Sequence, residues 1–206
     1  MNLRKSGLFI AIAVIILELI GGMQSYLNQL ILPIMANDLH GQNYYGVILG
    51  ASSIATMTGL PIGAALMNRV RLVRLLVGAT LVLVFGALVS AVAPSVIVFV
   101  IGSILRGLAG SILAMTSLGA VALGLSGRAR QLTLAFASAS WVVASVVGPA
   151  YAAWVTHLLS WRWAILLYLP FLLAARFVIA FNLKTESQKK DAPMSYQALF
   201  LIIIGV

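Results

Sequence analysis

Six apolar stretches, each about 20 residues or longer, follow one another along this chain with only short loops between them. A helix rises about 1.5 Å per residue, so such a stretch crosses the ~30 Å hydrocarbon core of a bilayer. The spans read as residues 7–35, 44–66, 72–93, 95–124, 131–157 and 162–182. This predicts an all-α integral membrane protein, a six-helix transmembrane bundle over 1–183 with antiparallel neighbours. Only 8% of residues are charged and 62% are hydrophobic, whereas a soluble domain is about 25% charged.

The net charge of +9 invites a nucleic-acid reading, which the positions of the bases exclude. Arg4, Lys5, Arg69, Arg71, Arg74, Arg128, Arg130, Lys184, Lys189 and Lys190 all fall on one side of the predicted spans. The opposite loops carry Arg162, while Arg106 and Arg176 lie inside spans. By the positive-inside rule the N-terminus is expected in the cytoplasm and the protein in the plasma membrane. The basic start and first apolar run resemble a signal peptide, but the run continues through Pro33 without an obvious cleavage site and reads as a retained helix.

There is no cysteine, and His40 and His157 form no cluster, so neither a metal nor another cofactor is expected. Trp154, Trp161 and Trp163 read as an interfacial aromatic belt. Residues 184–195 read as a cytoplasmic linker. Residues 196–206 read as the start of a seventh span, too short to cross. The chain is therefore expected to be a fragment, or one half, of something longer.

Polar residues inside lipid are costly and mark function. Glu18 is the only acid within a span. At about 100° per residue, Glu18, Gly22, Ser25 and Gln29 fall in a sector of ~60°, a polar stripe flanked by Gln24 and Asn28. Arg106 lies at a similar depth in the fourth span, sharing a face with Gly102, Gly110 and Ser117, and is expected to pair with Glu18. A carboxyl set between a cation and a low-dielectric surround is suited to exchange a proton. Arg176 is expected to snorkel from the sixth span.

Five motifs then resemble the major facilitator superfamily, specifically its drug:proton antiporters. Ala144, three positions, Gly148-Pro149, two positions, then Ala152-Ala153 is similar to the antiporter motif of the fifth helix. Ser160-Trp161-Arg162-Trp163 with Leu169-Pro170 resembles the signature that opens the sixth helix. Arg106-Gly107 with Gly110 resembles the fourth-helix motif, with Ala109 and Ile112 at places where Gln and Gly are frequent. Gly63 to Arg74 resembles the cytoplasmic loop motif through Gly63, Arg69 and Arg71. That loop lacks the family's Asp, having Met67 or Asn68 there, and has Val70 where Gly is common. Leu32-Pro33 with Asp38-Leu39 looks like the end of the first helix, with Gln24 where some relatives have Asp.

The resemblance implies the N-terminal half of a proton-coupled exporter with an inverted three-plus-three repeat and a cavity between the first and fourth helices. The implied mechanism is alternating access, with Glu18 and Arg106 coupling protons to a hydrophobic or cationic substrate. Gln24, Ser25, Asn28 and Gln29 would offer hydrogen bonds, and Tyr26 and Trp141 a stacking surface. The expected partners are the bilayer, substrate, protons and a C-terminal half. An exporter of one specific metabolite, a non-transporting half-protein that binds a membrane partner, and sodium coupling stay open. The residues offer no nucleophile–base constellation to an enzyme.

Overall fold

Apolar residues in a long run, with no water to bond their backbones, are accommodated in lipid as helix. The computed structural model, which describes residues 3–182, is built this way: α1 (Leu3–Asp38), α2 (Tyr45–Arg69), α3 (Leu72–Ala91), α4 (Val96–Gly124), α5 (Gly127–Leu158), α6 (Trp161–Leu166) and α7 (Leu169–Asn182). Six segments are long and apolar enough to cross a membrane, α6 and α7 together forming the sixth from Trp161 to Phe181. Among the described residues there is no strand. The expected linker 184–195, the expected seventh span at 196–206, Lys184, Lys189 and Lys190, and the side chains of Arg4 and Lys5 lie outside the described residues.

The helices overrun the apolar windows at several ends. α5, for example, starts at Gly127 rather than 131, after an extended Ser126 (φ −132°, ψ 159°). Apolar runs mark the bilayer core, whereas helices continue until a capping conformation stops them. α1 stops in a Schellman cap: the Gly41 N–H donates to Ala36 O (2.7 Å) and the His40 N–H to Asn37 O (3.3 Å), with His40 left-handed at φ 51°. The sixth crossing breaks at Leu167–Tyr168. Pro170 has no N–H for the Leu166 carbonyl and disfavours helix in the residue before it, so one turn is lost there. By contrast, Pro149 sits inside a continuous α5.

α1 packs along α5 and α4 along α2; α3 packs on α4 and the sixth crossing on α1. Exchanging the first three crossings with the last three maps each of these pairs onto another, the pattern a three-plus-three repeat requires. Lipid supplies no hydrophobic drive between helices, so close backbone approach matters. On α3 and α4, a Cβ at Gly102 would stand 2.7 Å from the Gly86 carbonyl oxygen. On α1 and α5, a Cβ at Gly148 would lie 3.1 Å from Tyr26 Cβ, and one at Gly22 would lie 2.7 Å from Ala144 Cβ. Ala144, Gly148 and Ala152 are buried in this seam, four residues apart, while Ala153 is exposed. α2 and α5 are the least covered crossings, with Ile54, Met57, Val142 and Val146 each more than 60% exposed.

One end of the bundle is tied by two motifs that lie far apart in sequence. Asp38, at the end of α1, accepts from Arg162 (2.7 Å) and from the Trp161 indole (3.0 Å) at the start of α6. Arg162 also donates to Ala93 O (3.3 Å) between α3 and α4, and its guanidinium lies over the Trp161 ring. Trp161 packs edge-on to Phe99 and is buried. It therefore departs from the expected aromatic belt, which keeps exposed Trp154 and Trp163. A flat ring bonded to a carboxylate at a helix junction is better buried than spread on the surface.

Candidate functional site

A polar cavity of about 250 Å³ opens between α1, α2, α4, α5 and α7. From α1 it receives Glu18, Gly21, Gln24, Ser25 and Asn28; from α2, Ser52 and Thr56; from α4, Ser103, Arg106, Gly110 and Ser117. Trp141 of α5 and Arg176 of α7 complete the charged and aromatic part of the wall.

The cavity face of α1 is turned by roughly 70° from the stripe read in the sequence, at about 100° per residue. The cause is packing: Gly22 and Tyr26 are taken up by the seam with α5. Gln29 is exposed outside the cavity lining. Gln24, Ser25, Asn28 and Trp141 line the cavity, and Tyr26 and Gln29 are not part of that lining.

Glu18 and Arg106 share the cavity, but no salt bridge within 4.0 Å joins them among the described residues, against the expected pair. Glu18 instead accepts from the Trp141 indole N–H at 3.1 Å. Arg106 donates to Asn28 Oδ1 at 3.0 Å and neighbours the buried Tyr168 hydroxyl, which also receives the Gln24 amide. Asn28, on the same helix as Glu18, therefore bonds the base where the acid was expected to.

Arg176 does not snorkel. It is 7% exposed, as is Arg106, and donates to Ser117 Oγ (3.1 Å) and Leu113 O (3.3 Å) of α4. The sequence held a signal for this. Arg176 shares a helical face with Leu172 and Ile179, while Phe171, Phe177 and Phe181 occupy the exposed face. Glu18 and Arg176 line the same cavity, and no salt bridge within 4.0 Å joins them among the described residues.

The loop motif lies away from the cavity. Gly63 lets α2 approach α4, a Cβ there standing 3.0 Å from Ile112 Cα. Asn68, Arg69 and Arg71 are exposed. Met67, one of the two residues that could stand in place of the family's Asp, packs its thioether on Gly119 of α4.

Comparison with known proteins agrees with this architecture. The profile of the Major Facilitator Superfamily matches residues 14–202. The chain belongs to the Major Facilitator Superfamily. Among relatives, it is 19% identical to the multidrug efflux pump SdrM of Staphylococcus aureus over 99% of this chain and 46% of that protein. It is 24% identical to the multidrug export protein EmrB of Haemophilus influenzae over 89% of this chain and 36% of that protein. It is also 24% identical to the fatty acid resistance protein FarB of Neisseria gonorrhoeae, over 84% and 35% respectively. The chain spans less than half the length of these superfamily relatives. It is a multi-pass membrane protein of a transporter family, and its bundle has the form of one half of that fold.

Proposed function

We propose that this chain forms the N-terminal, cavity-bearing half of a proton-coupled exporter of hydrophobic small molecules that works by alternating access in the plasma membrane, with its N-terminus in the cytoplasm. The observation that carries this reading is the placement of Glu18, the only acid within a span, on the wall of a polar cavity inside an apolar bundle. A carboxylate there is costly unless it is used. It accepts a hydrogen bond from the Trp141 indole and has no ion-pair partner among the described residues, which leaves room for a proton to come and go.

In this mechanism an external proton neutralises Glu18 after substrate has left outward. The halves rock, the proton is released to the cytoplasm, and a new substrate enters. Gln24, Ser25 and Asn28 offer hydrogen bonds, and Trp141 a flat surface. The names of SdrM and EmrB support a multidrug range. Two bases against one acid on the wall support neutral hydrophobic molecules over cations. The thin cover on α2 and α5 supports a second half seated against them. The test uses inside-out vesicles carrying the native protein and a pH-sensitive dye. Substrate-dependent proton movement is expected, and Glu18→Gln is expected to abolish it. Movement that survives Glu18→Gln would sink the assignment.

A further inference from the structure

Contacts between the crossings fix the level at which each charged residue stands. Near one end of α1, a Cβ on Gly124 would touch Ile10, and one on Gly7 would touch Leu125, just past α4. Nearer the other end, Asn28 accepts from Arg106. The two helices are therefore antiparallel, with 7 beside 125 and 28 beside 106. Carried along α1, this register puts Glu18 level with about residues 114–116 of α4. Those residues lie between Leu113 and Ser117, which accept from Arg176 at 3.3 and 3.1 Å. Arg106 is bonded at the level of Asn28, about 15 Å further along α1 at 1.5 Å per residue.

The sixth crossing has the same register. The Gln24 amide bonds the Tyr168 hydroxyl. From that bond Glu18 lies six residues back along α1 and Arg176 eight residues on along α7, both in the same direction. Their levels differ by about 3 Å.

Arg176 is more than nine-tenths buried, and its Nε–H has no partner among the described residues. The Ser117 hydroxyl and the Leu113 carbonyl are neutral acceptors, and they compensate a buried guanidinium only in part. Glu18 is the only acid within a span and lines the same cavity. Of the elements packed on α1, α4 brings Arg106 to the cavity wall and α7 brings Arg176, while α5 brings the neutral Trp141. Tyr168, between α6 and α7, is engaged by Gln24.

We propose that Arg176, rather than Arg106, is the positioning base for the proton on Glu18, a fixed charge at the level of the carboxylate that sets the pH at which the proton leaves. The inference rests on Glu18 exchanging a proton, and it names the group that tunes the exchange. A guanidinium in contact would hold the acid in an ion pair. Beyond 4.0 Å it favours the carboxylate and leaves Glu18 on its bond to Trp141, free to take the proton back.

The test is infrared difference spectroscopy of the purified full-length protein in neutral detergent, titrated with pH. The protonated-carboxyl band of Glu18 is the one that Glu18→Gln removes. Arg176→Gln takes away a cation that favours the carboxylate, so Glu18 should take up its proton at higher pH. The midpoint of the band is expected to rise by about one pH unit or more, as for loss of a unit charge several ångströms away. Arg176→Lys keeps the charge and should return the midpoint most of the way. Arg106→Gln should move it by less than half as much. A merely structural role for Arg176 would leave the midpoint where it is.

An unchanged midpoint in Arg176→Gln, or a larger rise in Arg106→Gln, would overturn the proposal. Should Arg176→Gln not fold, Arg106→Gln decides alone. A rise of about one unit there gives the role to Arg106, and a smaller one leaves it with Arg176, the other base on the wall. If proton movement in vesicles needs Glu18 but Arg176→Gln leaves the midpoint unchanged, the exporter stands and Arg176 loses this role. If the midpoint rises but proton movement survives Glu18→Gln, the pairing stands and Glu18 is not the carrier.

Discussion

Trp141 shows how much a single donor contributes to the site. Its indole N–H meets Glu18 at 3.1 Å while the ring is 43% exposed. A bond to a carboxylate contributes about 1.5–3 kcal/mol when dry, and partial exposure reduces that to about 1 kcal/mol. Trp141→Phe keeps the ring and removes the donor. Initial efflux rates should fall by about fivefold rather than vanish, a loss of about 1 kcal/mol. At this scale the sequence was partly legible. Glu18 is conspicuous because no other span holds an acid. The partner of Glu18 was not legible, because equal depth says nothing of the angle at which two helices face each other. Gly22 turned α1 toward α5, and Arg176 turned inward with Leu172, both through packing that no local pattern encodes.

The α-helices themselves make sharper predictions, because their glycines have different neighbours. A Cβ at Gly102 would press on the Gly86 carbonyl oxygen and the Ser90 nitrogen, both at 2.7 Å. Backbone cannot step aside, so Gly102→Ala should cost about 1–3 kcal/mol. A Cβ at Gly148 meets its first neighbour at 3.1 Å, so Gly148→Ala should cost less. Nothing lies within 4 Å of a Cβ at Gly110, which lines the cavity. Gly110→Leu should therefore leave the melting temperature nearly unchanged while reducing substrate binding. Thermal unfolding in detergent, with ligand binding on the same samples, orders all three. In the α1 cap, His40→Gly relieves a left-handed non-glycine residue and should stabilise by about 1 kcal/mol. The crossings were legible from length and apolarity; their ends were not. Caps and the break before Pro170 depend on conformations of a few residues that an apolar window averages away.

For the whole molecule, motifs read separately in the sequence become one structure. Asp38 and the Trp161-Arg162 pair, 123 and 124 residues apart, meet where α1 ends and α6 begins. The ion pair is surface-exposed, so Asp38→Asn should lose less than about 1 kcal/mol. Trp161 is 3% exposed, and Trp161→Ala should lose about 3–5 kcal/mol of stability. Thermal unfolding of the two variants side by side checks this split between a weak pair and a strong ring. The six-helix form followed from the sequence because lipid leaves an apolar chain few alternatives. The central claim is that substrate and proton contend for one cavity, and it is tested most directly on the purified protein in weakly buffered detergent. Adding a neutral hydrophobic substrate should release protons from the wild-type protein and none from Glu18→Gln. Equal release from both would contradict the claim.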